Sequence, residues 1–160
     1  MATQDFSTAL GELIRVVQFR DRDRACCYDL SVSQCYALER VVKGGSLTVN
    51  DLAAELYLDK STTSRLANSL VSRDYLSREP DPDDGRVVRL VATRAGEAIC
   101  RRIEDDLSVE YAELLSDFDP EVQAATAEVL RRLGRAFARR VDVSNGRCCT
   151  VPASERGAGR

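Results

Sequence analysis

Six cysteines and no histidine set the chemistry open to this 160-residue chain. Four of the cysteines form adjacent pairs, Cys26-Cys27 and Cys148-Cys149, while Cys35 and Cys100 stand alone. The charge run RDRDR (20–24) places Arg20, Arg22 and Arg24 beside the first pair. Nearby cations stabilise a thiolate and lower its pKa, which favours soft-metal capture or oxidation. Adjacent cysteines do not readily pair with each other, but they can give two sulfurs to a centre that a third thiolate completes. Thiolates without imidazole select thiophilic ions over Mg²⁺, Ca²⁺ or a histidine-based zinc site. Cys26, Cys27, Cys35, Cys148 and Cys149 are therefore candidate ligands for trivalent arsenic, As(III), or another thiophilic metal or metalloid. An iron–sulfur cluster and a thiol–disulfide redox switch remain open on the same residues. So does the plain alternative that the cysteines are incidental. Cys35 is in register with Leu38 and Val42 and, taken alone, fits a small core residue; Cys100 reads as core.

A second group has different chemistry. Lys60, Ser61, Thr62, Thr63, Ser64, Arg65 and Asn68 crowd the start of a helix beginning near Lys60. Short donors and acceptors there suit a helix whose N-terminal end enters the DNA major groove. Leu66, Leu70 and Val71 recur at helical spacing and are expected to hold the helix to its domain. After Tyr75 the period changes. Leu76-Ser77-Arg78-Glu79 reads as a strand, residues 81–86 (DPDDGR) as a loop, and Val87 to Val91 as a returning strand. Pro82 and Gly85 supply the turn chemistry. Arg86, at the tip, suits a narrow minor groove, with Asp84 placed to orient its guanidinium through a fork-like pair.

Elements that position these groups can be read on either side. Phe6, Leu10, Leu13, Ile14 and Val17 predict a first helix from about Asp5 to Arg20. Ser31 and Gln34 make a capping box for a second, about Val32 to Lys43, ended by Gly44 and Gly45. Ser46-Leu47-Thr48 reads as a short strand. Asn50 is expected to cap the first helix of a helix-turn-helix, which Leu52, Leu56 and Leu58 pack inward. Thr93 caps a long helix whose apolar face runs from Ile99 to Phe118. Pro120 opens another carrying Val122, Val129, Leu130, Leu133, Phe137 and Val141. These stripes need a partner, which a second subunit would supply across a two-fold axis. The alternative is an intramolecular bundle.

The fold class that follows is mainly α with a small β-hairpin wing. It is a winged helix-turn-helix over 31–94, with dimerisation helices in 1–30 and 95–142 and a flexible tail, 143–160, that carries the last cysteine pair. Net charge is −3, but its distribution matters more. Residues 57–94 hold seven basic and six acidic side chains, while 95–142 hold seven and eleven. Phosphate binding needs local cations rather than a basic protein. No apolar run is long enough to span a bilayer and the N-terminus lacks a signal peptide's regions, so a cytoplasmic, reducing setting is expected. For catalysis there is no histidine, no nucleophile with a base at recognisable spacing and no glycine-rich phosphate loop. The acids at 81–84 and 104–106 read as a turn and a solvated helix face. A winged helix that binds protein rather than DNA remains the alternative of another class.

Over roughly residues 5–142 the order of elements resembles the MarR family of winged-helix regulators. The match lies in LSVSQCYALE (30–39), in LTVNDLAAELYLDKSTTSRLANSLVSRDYLSREPDPDDGRVVRLVATRAG (47–96) and in the flanking helices. Its most specific part is Asp84-x-Arg86 followed by Thr93-x-x-Gly96. The resemblance implies a homodimer docking one winged helix per subunit on a pseudo-palindromic operator in double-stranded DNA. It implies repression that is relieved by a ligand, oxidant or metal. Ser61, Thr62, Thr63, Arg65 and Asn68 would then contact the major groove and Arg86 the minor groove. This chain departs from the family at Gly85, where a second arginine is common, and in its cysteines, which most members lack.

Overall fold

The computed structural model describes residues 2–24 and 28–140. The elements run α1 (Ala2–Arg24), α2 (Val32–Gly44), β1 (Ser46–Thr48), α3 (Val49–Leu56), α4 (Lys60–Ser72), β2 (Leu76–Pro80), β3 (Val88–Ala92), α5 (Arg94–Leu115) and α6 (Pro120–Ala138). The capping box at Ser31 and Gln34 opens α2, and Gly45 ends it at φ 74°, a left-handed backbone that suits glycine. The first helix is longer than its apolar spacing suggests, because the spacing marks only the residues that need a neighbour.

Two local expectations are corrected. Asn50 is not the cap of α3. Thr48 is, accepting from the Asp51 backbone at 3.1 Å while Asp51 Oδ2 accepts from the Thr48 amide at 3.2 Å. Strand β1 therefore passes straight into a helix with no spacer. The wing is also more than a hairpin. β1 pairs antiparallel with β3, giving the sheet order β1-β3-β2, with Leu47 opposite Leu90. That pairing anchors the wing to the helical unit.

The core sits between α2, α3, α4, the sheet and the start of α5. Leu38, Leu52, Leu70, Leu76 and Leu90 are fully buried in it, and each burial contributes roughly 2 kcal/mol. Tyr57 takes a left-handed conformation (φ 55°) that makes the tight turn between α3 and α4. Thr93 caps α5 by accepting from Gly96 N. A Cβ at Gly96 would lie 2.1 Å from the Tyr75 carbonyl oxygen, so only glycine lets α5 start against the end of the reading unit.

The outer helices are different. No described residue of α1 or α6 is buried. Phe6 and Leu13 of α1 face Val129 and Leu130 of α6 across an open apolar groove of about 410 Å³. No helix among the described residues is long and apolar enough to cross a membrane.

Candidate nucleic-acid interface

Asp59, unmarked in the sequence, organises the start of α4. Its carboxylate accepts from Ser61 Oγ at 2.6 Å, Thr62 Oγ1 at 2.7 Å and the Thr62 amide at 2.9 Å. These bonds, that from Ser61 first, hold its pKa far below the usual carboxylate range. Ser61 and Thr62, expected to meet DNA, thus direct their hydroxyl protons at the cap. Thr62 Oγ1 also accepts from Arg65 Nη2 at 3.3 Å. Both hydroxyl protons are thus engaged within the cap.

Helix α4 divides cleanly into faces. Ser61, Arg65, Asn68 and Ser72 form an exposed stripe at positions i, i+4, i+7 and i+11. Thr63, Ala67 and Leu70 form the fully buried one. Thr63 is therefore corrected as a groove contact. Its hydroxyl donates to the Asp59 carbonyl at 3.0 Å and the side chain is fully buried. The inward line is also not the expected one. Leu70 is buried and Val71 packs at its edge, but Leu66 is only half-buried and lies outside the core cluster.

The wing meets this face directly. Arg78 of β2 donates to Asn68 Oδ1 at 2.7 Å, so strand and helix present polar groups side by side. At the hairpin, Asp84 does not grip the Arg86 guanidinium. Asp84 Oδ1 accepts from the Arg86 backbone amide at 3.0 Å, which shapes the turn and leaves the side chain exposed. Asp81 was the missed residue. It is nearly buried and accepts from the Asp83 and Asp84 amides at 2.8 and 3.1 Å. It also forms an ion pair with Arg89, which reaches on to Ser46. The Arg89 guanidinium, followed by the two amides, lowers the Asp81 pKa. Arg89 is therefore neutralised at the base of the wing, whereas Lys60, Arg65, Arg78 and Arg86 are exposed with no acidic partner among the described residues.

Of the sulfur candidates, Cys26, Cys27, Cys148 and Cys149 lie outside the described residues. Cys35 is half-buried and Cys100 is buried. Both open onto one cavity of about 400 Å³ between α2 and α5, also lined by Glu39, Lys43, Glu104 and Tyr111. The sequence places these cysteines 65 positions apart and gives no sign that they meet. Burial, then the Glu104 and Glu39 carboxylates, push the Cys100 thiol up to about 11, so it stays protonated near neutral pH. Among the described residues no cluster of three or more cysteine or acidic side chains is arranged to hold a metal ion.

A buried-backed reading helix with a strand-borne cation at its side defines a winged helix-turn-helix. A sequence profile described as MarR family matches residues 28–87. An uncharacterised HTH-type transcriptional regulator of Bacillus subtilis, YxaD, is 27% identical over 128 residues, covering 80% of this chain and 90% of that protein. The multiple antibiotic resistance protein MarR of Escherichia coli is 27% identical over 125 residues, 76% of this chain and 87% of that one. A MarR family protein from Bacillus stearothermophilus superimposes with a TM-score of 0.75 at 24% identity, over 84% of this chain and 94% of its own. Residues 28–87 thus match the MarR family, the chain is similar over most of its length to MarR-type transcriptional regulators, and its fold is theirs.

Proposed function

We propose that this chain is a homodimeric repressor that docks two α4 helices in successive major grooves of a pseudo-palindromic operator and places Arg86 in the flanking minor grooves. The observation that carries this reading is the exposed stripe Ser61, Arg65, Asn68 and Ser72, backed by a fully buried stripe and joined by Arg78 of the wing. Lys60 at the helix start adds a phosphate anchor. The homodimer rests on the outer helices. Phe6, Leu13, Ile14, Val129, Leu130 and Phe137 are 44–52% exposed, and large exposed apolar faces mark association surfaces. A second copy, offering the same faces, covers them with two-fold symmetry.

Operator binding is modulated through cysteine thiolates that take up a thiophilic metal or metalloid such as As(III). Six cysteines without histidine support this chemistry. Cys35 is the described member of the proposed ligand set, and Cys100 shares its cavity. Cys100 must lose a tightly held proton to take part.

The DNA reading is tested by selecting binding sites from a random duplex library and measuring affinity against salt. A palindromic consensus with two half-sites about one helical turn apart is expected. A protein-binding module shows no duplex affinity at any salt concentration. For the effector, arsenite should release the selected duplex from wild-type protein and not from Cys35→Ser. A visible absorption band in protein as purified would instead indicate an iron–sulfur cluster. Release by peroxide that dithiothreitol reverses would indicate a disulfide switch.

A further inference from the structure

Asn68 and Arg78 are both exposed, ten positions apart in sequence, and joined at 2.7 Å from Arg78 Nη2 to Asn68 Oδ1. A guanidinium has five N–H donors and no acceptor. Only the carbonyl end of the amide can face it, so the orientation of Asn68 is fixed by chemistry and not by choice of drawing. The group left for a ligand on this exposed residue is the NH₂, with its two donors.

Unencumbered, an asparagine reads adenine with both ends of its amide, donating to N7 and accepting from the N6 amino group. Here the accepting end is held by Arg78. The remaining lone pair on Oδ1 sits beside a positive charge that repels an adenine amino group and attracts the O6 and N7 acceptors of guanine. We propose that Arg78 makes Asn68 a donor-only reader, so that each half-site carries guanine, not adenine, at the base Asn68 contacts. Arg78 acts here as a positioning residue, through Asn68 and through its charge. The inference rests on the major-groove docking proposed above and adds the base it selects.

The test is binding-site selection with the full chain, run on wild type, Asn68→Ala, Arg78→Met and Arg78→Lys. Asn68→Ala identifies the contacted position as the column of the consensus that loses its preference. At that column wild type is expected to favour guanine over adenine by about fivefold or more, the lower end of what one good base contact discriminates. Arg78→Met frees the carbonyl and removes the charge, so the column should change to adenine. Arg78→Lys keeps a donor and a charge and should retain guanine. Both positions are exposed, and thermal melts establish that the variants fold. Adenine at that column in wild type overturns the proposal. An unchanged column in Arg78→Met overturns it too, as does an Asn68→Ala variant that scrambles no column. In each of those results salt-dependent duplex binding persists, so the DNA-reader assignment stands. If no duplex is bound at all, that assignment falls first.

Discussion

Removing the wing-tip charge should change how steeply DNA affinity depends on salt. In the proposed dimer each protomer exposes Lys60, Arg65, Arg78 and Arg86 with no acidic partner among the described residues, whereas Arg89 is already paired with Asp81. A docked dimer therefore brings about eight cations to the duplex. Each phosphate neutralised contributes about 0.9 to the slope of log K against log salt, so the wild-type slope should be about −7. Between 50 and 200 mM salt the affinity then falls about 10⁴-fold. Arg86→Ala removes two of the eight charges and should give a slope of about −5 and a fall of about 10³-fold over the same range. Arg89→Gln is the internal control. It removes a charge that Asp81 cancels, so the slope should stay near the wild-type value while the wing loosens. The assay is fluorescence anisotropy of a labelled, selected duplex, titrated at four or five salt concentrations. Equal slopes for wild type and Arg86→Ala would show that the wing tip does not approach the duplex. A wild-type slope near zero would refute groove docking altogether.

Other perturbations test the scaffold and the wing. Gly96→Ala should destabilise by about 3 kcal/mol, the upper end of ordinary overpacking costs, because the Tyr75 carbonyl must retreat by more than an ångström. A melt should show a fall of about 6–12 °C, and an unchanged melting temperature would contradict the close approach. Gly85→Arg adds the family's second wing arginine at an exposed position where a Cβ meets nothing within 4 Å. Two further charges per dimer should tighten duplex binding and steepen its slope by about 2; unaltered binding would place the loop away from the backbone. The Cys100 thiol has its folded pKa raised above the unfolded value, to about 11. Its contribution to stability is therefore complete below pH 9 and is lost as pH rises towards 11, by up to about 2–3 kcal/mol. Chemical denaturation across that window should show the loss in wild type and a flatter profile in Cys100→Ala.

Much of the fold was legible because periodicity and caps act locally. Ser31 with Gln34, Gly45, Thr93 and Pro120 marked helix ends within a residue or two of where they fall. The cap of α3 was missed because two polar residues, Thr48 and Asn50, compete within three positions. Spacing decides between them, since only Thr48 stands three before Asp51 and can exchange side-chain bonds with it. The face of α4 was legible but misread. Thr63, Ala67 and Leu70 lie at i, i+4 and i+7, and that spacing names Thr63 as inward despite its hydroxyl. The turn role of Asp81 was legible, because it bonds amides two and three positions on, but its ion pair with Arg89 across the hairpin was not. The Arg78–Asn68 bond and the shared Cys35–Cys100 cavity depend on tertiary placement in the same way. Pairing of β1 with β3 joins residues more than forty positions apart and follows from no pattern within either strand.

In the proposed regulation, the same geometry offers chemistry at a thiol a route to the reading helix. Gln34 Nε2 donates to Ser69 Oγ at 2.7 Å, joining α2 to α4, and Gln34 is the residue before Cys35. At the far end of α4, Arg73 donates to Asp29 Oδ2 at 3.0 Å, two positions beyond Cys27. Helix α4 is thus tied at two points to segments that carry candidate thiols. A ligand shifts an equilibrium only by the difference in its affinity for the two states. Weakening DNA binding 100-fold through Cys35 therefore requires a coupling of about 2.7 kcal/mol. Two hydrogen bonds at about 1 kcal/mol each come close to that figure, so neither tie alone suffices. In the proposed regulation, Gln34→Ala and Arg73→Ala should each blunt arsenite-induced release by about fivefold without abolishing arsenite binding. Full release in the double variant would mean that the signal travels through the subunit interface and not through these two contacts.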